Sequence, residues 1–438
     1  MKKTLVGIAA VVAVVAIALS GCSDPGSGGG SSSAQTWPSQ DAKLDGVSLT
    51  IWAAQNSNTV AKSVVAGFEK KTGATVKIVT IPDPYEQSTQ TKVATGDKPD
   101  LGFWQPTASE LTALNAKTNL QSLEGAPWVK NYTGNLGNST GILDKTRYAA
   151  LITTPGLMGV FYNKQVFEKA GITSTPKNWD DLIADAKKLK GQGVVPFQDF
   201  GGGTPWATQW WVQVQLAEAA KDGLWTRMNA NKEKFTDPTI LGAIKNYDQL
   251  ITDGYFNSDL KTATFEEQGP ALLDGKAAMA LQVNSYFGLL QSLADTKTLN
   301  EKIGFFPISP KGIVGTSIPD QSNALVAYKT GDSKKEAASR QFLEYWMGDG
   351  YKTFIESRNT VSLLKTATTP ATVPTALVQS ADALSDSVGS MQALAVANPD
   401  LYLNLGDMIQ GTKTPDQVAE TTQQQWEQLA KAQGVKGF

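Results

Sequence analysis

The stretch RYAALITTPGLMGVFYNKQVFEKAGI, residues 147–172, decides how the rest of the chain is read. It opens as an apolar, strand-like run and breaks at Thr154-Pro155-Gly156. It resumes from Met158 to Tyr162 and then turns into a helix. A Pro-Gly break between two apolar runs interrupts strand pairing, because proline brings no backbone donor and glycine turns freely. The backbone is therefore read as leaving one lobe here and entering a second. A ligand would sit beside the crossing, in the cleft between the lobes.

Composition bounds the reading. A chain of 438 residues is too long for one ordinary core, so two lobes are expected. The formal net charge is −2 and there is no Lys/Arg cluster, so nucleic acid is not an expected partner. The chain has no histidine, which removes Ser-His-Asp and Cys-His catalysis and the usual zinc and iron sites. Its one cysteine, Cys22, leaves no internal disulfide and no CxxC metal site. No cofactor and no metal are expected.

The leader accounts for that cysteine. Lys2 and Lys3 form a positive start, and residues 5–19 are an apolar run of secretory length, too short to span a membrane comfortably. The run ends in Leu19-Ser20-Gly21-Cys22. Small residues just before a cysteine resemble the bacterial lipobox, in which the cysteine becomes the new N-terminus and is acylated on sulfur and amine. Residues 1–21 then form a lipoprotein signal peptide. Residues 22–39, rich in Gly and Ser, form a flexible tether from the membrane surface.

Beyond the tether, residues 47–52, 75–81 and 100–104 read as strands, with helices between them. The first helix carries Val60, Val64 and Phe68 on one face and stops at Gly73; the second runs over 85–94. This order implies a parallel sheet covered on both faces, with ligands bound off the carboxyl ends of its strands, here 53–57 and 104–106. Further on, Asn178 caps a helix, residues 277–283, 303–307 and 324–328 read as strands, and Ser333 with Glu336 reads as a capping box. The last helix opens at Thr414-Pro415-Asp416-Gln417, and its Val418, Trp426 and Leu429 are expected to face inward.

Three stretches carry a resemblance to a known family: YEQSTQTKVATGDKPDLGFW (85–104), TPGLMGVFYNKQVFEKAGITSTPKNWDDLIADAKKLKGQG (154–193) and LLDGKAAMALQVNSYF (272–287). Their order and spacing resemble the bacterial extracellular solute-binding proteins of family 1. These are the carbohydrate-binding lipoprotein or periplasmic components of ABC importers. The resemblance implies an α/β fold of the periplasmic-binding-protein-like type II, two α/β lobes with a hinged ligand cleft. Lobe one would hold 40–156 and 303–346, and lobe two 157–302 and 347–438, with hinges near 156–160, 284–286 and 346–350. It also implies the function: capture of a mono- or oligosaccharide between the lobes and delivery to a membrane permease driven by a separate ATPase. The membrane is met through the N-terminal lipid on Cys22 alone, and a monomer is expected.

Sugars present flat C–H patches, matched by aromatic faces, and rings of hydroxyls, matched by amides, carboxylates and Arg. Trp104 corresponds to a pocket tryptophan of the family's maltose binder. Trp206, after Gly201-Gly202-Gly203, falls where relatives place a stacking aromatic; Trp210 is the next candidate. Tyr286 stands where the family usually has tryptophan. The polar candidates are Gln55, Asn56, Gln105, Asn284, Asp320, Gln321, Asn323 and Arg358. Asn56 and its neighbour Ser57 stand about where the maltose binder has charged residues, which points to a different sugar. One rival is a lipid-anchored glycoside hydrolase built on Asp199, Asp320 or Glu110, since that chemistry needs two carboxyl groups. Another is a binder of glycerophosphodiesters, as some family members are, using the glycine triplet as an anion nest. A third is a binder of amino acids or peptides, which strand-end tryptophans fit less well.

Overall fold

Two sheets, each wrapped in its own helices, lie on either side of the 152–156 break. The computed structural model describes residues 37–54, 61–82, 85–133, 136–203, 205–320 and 323–438. In chain order, the strands of the two main sheets are β1 (Ser48–Ala54), β2 (Thr75–Ile81), β3 (Leu101–Phe103), β4 (Ala149–Leu151), β5 (Gly156–Asn163), β6 (Val195–Phe197), β7 (Ala277–Val283), β8 (Ile303–Phe306), β9 (Thr316–Ile318), β10 (Ala324–Ala327) and β11 (Val388–Gly389).

The first sheet has the order β2-β1-β3-β10-β4. Its β1, β2 and β3 are parallel, and β10 runs antiparallel to both of its neighbours. Helix Lys62–Thr72 covers it with Val64 and Phe68, both fully buried one turn apart, and ends at Gly73 with φ at 81°. The Asp of the Lys-Pro-Asp run pins β3 beside β1: buried Asp100 accepts the Thr50 N–H at 2.7 Å and pairs with Lys335 at 3.3 Å. Helix Ser333–Met347 drives Phe342 and Trp346 into the same core. Its cap is Asp332, which accepts the N–H groups of Lys334 and Lys335, while Glu336 accepts those of Thr330 and Gly331. The start is thus one residue earlier than the Ser333 box suggested.

The second sheet has the order β11-β9-β5-β7-β6, with β8 also paired to β5. Its central β5 feeds opposite faces alternately: Met158 and Val160 enter one core, Leu157 and Phe161 another. Asn163 ends β5 and caps the next helix by accepting the N–H groups of Gln165 and Val166. It also donates to the Leu272 carbonyl at 2.8 Å. The Tyr162-Asn163-Lys164 run within residues 154–193 is therefore a packing and capping device.

Two stretches lie on the other side from the expected lobe boundaries. Strands β8 and β9, expected with lobe one from residue 303, pair with β5 of the second sheet. Helix Tyr351–Arg358 and Leu363–Leu364, expected with lobe two from residue 347, bury Phe354, Ile355, Leu363 and Leu364 in the first core. A short apolar run announces burial, but its partner strand is set by long-range register, which local pattern does not contain. The chain thus passes between the sheets at 152–155, at 319–323 and through 359–374.

Candidate functional site at the crossing

At Thr153–Leu157 the ladder that joins β4 to β10 has ended and the one that joins β5 to its neighbours has barely begun. Two asparagine side chains supply the missing partners. Asn284, just past β7, accepts the Leu157 N–H at 2.9 Å and donates to Thr154 Oγ1 at 3.3 Å and to the Pro155 carbonyl at 3.4 Å. Asn323, just before β10, donates to Thr153 Oγ1 at 2.9 Å and to the Thr154 carbonyl at 3.0 Å. Its own Oδ1 accepts the Asp320 N–H at 3.0 Å. Gly156 is required here, because a Cβ would lie 2.7 Å from Ile318 Cγ2 and 3.1 Å from its carbonyl. Asn284 and Asn323, read from sequence as ligand contacts, are 6% and 8% exposed and spend their polar atoms on backbone groups and on the Thr153 and Thr154 hydroxyls. The physical reason is that backbone groups left unpaired in a buried strand break must find side-chain partners.

Beyond β5, at the carboxyl ends of β6 and β7, stands an aromatic cluster. Trp206 is half-buried, its ring centroid 5.3 Å from Phe200, 5.3 Å from Phe265 and 6.1 Å from Trp210. It is the one tryptophan of this cluster that keeps part of its surface exposed. Trp210 is buried behind it, and its indole N–H has no acceptor among the described residues. Tyr286 is 1% exposed, packed against Phe161 and Phe265, and its hydroxyl has no partner among the described residues. Burial in an apolar core pushes that phenol far above its ordinary pKa. Neither Trp210 nor Tyr286 presents a ring face to the cleft, which corrects their reading as stacking residues.

Trp104 is corrected in the same way. It is fully buried in the first core beside Tyr85, and its indole N–H donates to the Glu110 carbonyl at 3.0 Å. The short turn after β3 folds helix Ala108–Ala113 over the ring. Gln105, at the same strand end, is half-buried and donates to Glu86 at 2.9 Å. Glu110 nearby has its carboxyl pushed up to about 7, chiefly by burial and then by the charge of Glu86. Arg358, at the end of its helix, is held below its usual range by burial, opposed by the negative charge of Asp320. Gln55, Asn56, Gln321 and Cys22 lie outside the described residues.

Asp199 and the glycine triplet support the Trp206 segment from below. Asp199 is 1% exposed and accepts from Trp211 Nε1 at 2.6 Å, Tyr247 Oη at 3.2 Å and the Phe200 N–H at 2.8 Å. Burial raises its pKa to about 6 against the pull of those donors. Enclosed by Trp211 and Tyr247, it offers no carboxyl to a substrate. Gly201 and Gly202 donate their N–H groups to the carbonyls of Leu260 and Ala263 at 2.7 and 3.1 Å. A Cβ on Gly202 would come within 2.4 Å of the Thr262 carbonyl oxygen. The triplet is a close-packing device whose first two N–H groups are spent, so the anion-nest reading has no free donors at Gly201 and Gly202.

On the other side of β5, a groove of about 970 Å³ runs between the lobes. Thr107, Leu136 and Ile142 line it from the first lobe, and Leu384, Gly389 and Leu394 from the second. Of the candidate residues, Asn323 borders this groove, whereas Trp206 and Asn284 belong to the β6 and β7 ends. Among the described residues no group of three or more His, Cys, Asp or Glu side chains is placed to hold a metal ion. Sequence reasoning missed Phe265, and it missed Gln209, Gln213 and Gln392, which hydrogen-bond to one another beside Trp206. Gln209 and Gln213, four residues apart around the two tryptophans, were the legible part of that signal.

Known proteins agree with this architecture. Residues 53–353 match the family model described as bacterial extracellular solute-binding protein. The chain is 26% identical over 301 residues to an uncharacterized ABC transporter extracellular-binding protein of Pyrococcus horikoshii, covering 65% of this chain and 66% of that one. It is 24% identical over 337 residues to the diacetylchitobiose binding protein DasA of Streptomyces coelicolor, covering 72% and 73%. The chain spans less than two thirds of the archaeal relative and, at 46%, less than half of a putative binding protein of Brucella abortus. The binding protein RafE, solved with raffinose, superposes with a TM-score of 0.72 over 87% of this chain and 99% of its own, at 19% identity. The family match covers most of the chain and the two-sheet fold agrees with it: the chain belongs to the bacterial extracellular solute-binding protein family.

Proposed function

We propose that this protein is the substrate-binding component of an ABC importer that captures a neutral mono- or oligosaccharide between its two lobes. The observation that carries the reading is Trp206: a half-buried indole held by Phe200, Phe265 and Trp210 in the segment that follows β6. Such a face suits the C–H patch of a sugar ring, and a stacked ring adds roughly 0.5–1.5 kcal/mol beyond its buried area. Binders of diacetylchitobiose and raffinose among the similar proteins support the same class of ligand. The crossings at 152–155 and 319–323, braced by Asn284 and Asn323, would serve as the hinge for closure. Closure would present the loaded protein to a membrane permease driven by a separate ATPase. Acylation of Cys22 would hold the protein at the outer face of the membrane, since lipid chains anchor through their buried methylenes. Binding rather than hydrolysis is favoured because Asp199 is walled off from solvent.

A thermal-shift screen over neutral sugars tests the reading. A ligand at a hundred times its dissociation constant adds about 2.7 kcal/mol of stability. A clear upward shift with at least one sugar is expected. No shift across mono-, di- and trisaccharides, with a shift for a glycerophosphodiester or a peptide, would replace it.

A further inference from the structure

Three glutamine amides close a ring under the Trp206 segment. Gln213 donates to Oε1 of Gln209 at 3.2 Å and to Oε1 of Gln392 at 2.8 Å, and Gln392 donates to Oε1 of Gln209 at 2.6 Å. The ring is tied to the backbone at two points. Gln209 donates to the Trp206 carbonyl at 3.0 Å, and the Met391 N–H donates to Gln213 Oε1 at 2.9 Å.

Each amide carries two N–H donors. Gln213 spends both inside the ring, while Gln209 and Gln392 spend one each in these bonds and, among the described residues, keep one each. The two with a donor in hand are also the two that still reach the surface, at 7% and 8% exposure against 2% for Gln213. Trp210, next in the chain to Gln209, also has a buried indole N–H with no acceptor among the described residues. The patch is therefore rich in donors and short of oxygen.

Its position suits a ligand. Helix-like segment Trp206–Gln209 follows β6, and helix Met391–Leu394 follows β11. Both strands end where β5 enters from the first lobe, and helix Met391–Leu394 touches helix Ala108–Ala113 of that lobe. The groups joined in the ring are amides, a carbonyl and a backbone N–H, with no fixed charge among them. Nearly buried N–H groups of this kind are costly to leave unpaired, and the ring contains no cation to offset the charge of a buried phosphate, so an uncharged oxygen suits it.

We propose that Gln209 and Gln392 form a donor subsite of the second lobe, beside the Trp206 face, for an uncharged oxygen of the ligand: a sugar hydroxyl or an acetamido carbonyl. The inference rests on the sugar-binding reading. Calorimetric titration of Gln209→Met, Gln392→Met and the double variant tests it, with diacetylchitobiose and raffinose as probes for the two oxygen types. Each single variant is expected to weaken binding about fivefold and the double variant about twenty-fivefold, because two separate donors are lost. A ring with a purely structural role breaks once: the double variant would then lose no more than either single one, and the subsite would be overturned. Gln392→Asn, which withdraws the amide by one methylene, gives the same test should a methionine variant fail to fold. If Trp206→Ala weakens binding and the glutamine variants do not, the subsite alone falls. If the wild type binds no neutral sugar, the functional reading falls with it.

Discussion

Asp199 makes the second lobe's stability depend on pH in a direction opposite to that of most paired carboxylates. Its carboxyl is buried with hydrogen-bond donors but no cation, and its pKa is about 6 in the folded chain. The ordinary value is 3.8. Below about pH 4 the group is neutral in both folded and unfolded chains. Between about pH 4 and 6 the unfolded chain gives up the proton while the folded one keeps it, so unfolding becomes easier. A shift of about 2 units corresponds to about 3 kcal/mol, present at acid pH and lost as pH rises through 6. Asp199→Asn removes that titration. The amide also turns its NH2 toward either the Phe200 N–H or the Trp211 and Tyr247 donors, which costs about 1–3 kcal/mol. Urea unfolding of both proteins at pH 4 and pH 7 isolates the effect, because the other titrating groups cancel in the difference. The wild type should be the more stable at pH 4, and the gap should close or reverse by pH 7, changing by roughly 2.5 kcal/mol, because an unfolded carboxyl is already more than half ionised at pH 4. A gap that stays constant, or widens as pH rises, would refute the reasoning.

Trp206→Ala should weaken sugar binding at least tenfold, and it should also lower stability by about 1–3 kcal/mol, because the ring packs on Phe200, Trp210 and Phe265; calorimetry and thermal unfolding read the two effects. Asn284→Ala leaves the Leu157 N–H without its acceptor in a buried crossing, so unfolding by denaturant should show a loss of about 1–3 kcal/mol. Gly202→Ala places a Cβ against the Thr262 carbonyl, so the loop must move; both the melting temperature and the sugar affinity should drop. Titrations with and without EDTA should give the same affinity, given the donor set of the described residues.

Much of the fold was legible because local chemistry announces elements. Gly73, Asn178 and the Thr414-to-Gln417 box end or begin helices where their side chains and backbones say so. Orientation was harder. Trp426 and Val418 are fully buried as expected, but Leu429, on the same helix, is 38% exposed. Three apolar residues do not decide where a buried face ends. The same limit governed the site. A tryptophan at a strand end signals either a cleft or a lid over the core, and Trp104 is the fully buried lid while Trp206 stays only half-buried. What separates them is the next helix, which folds back over Trp104 and lets its N–H reach the Glu110 carbonyl. Asn284 and Asn323 were found as important polar residues, but their roles depend on which backbone groups the crossing leaves unpaired. The glutamine ring joins residues far apart in the chain, Gln209 and Gln392, and no spacing rule reaches that far.

The second lobe is proposed to offer a sugar one binding site built on Trp206. Titrating a neutral oligosaccharide while following tryptophan fluorescence tests it most directly. One saturable transition at one sugar per chain, with its amplitude and affinity both reduced in Trp206→Ala, is the predicted result. Sugar binding of unchanged affinity in that variant, or no saturable binding by the wild type, would contradict it.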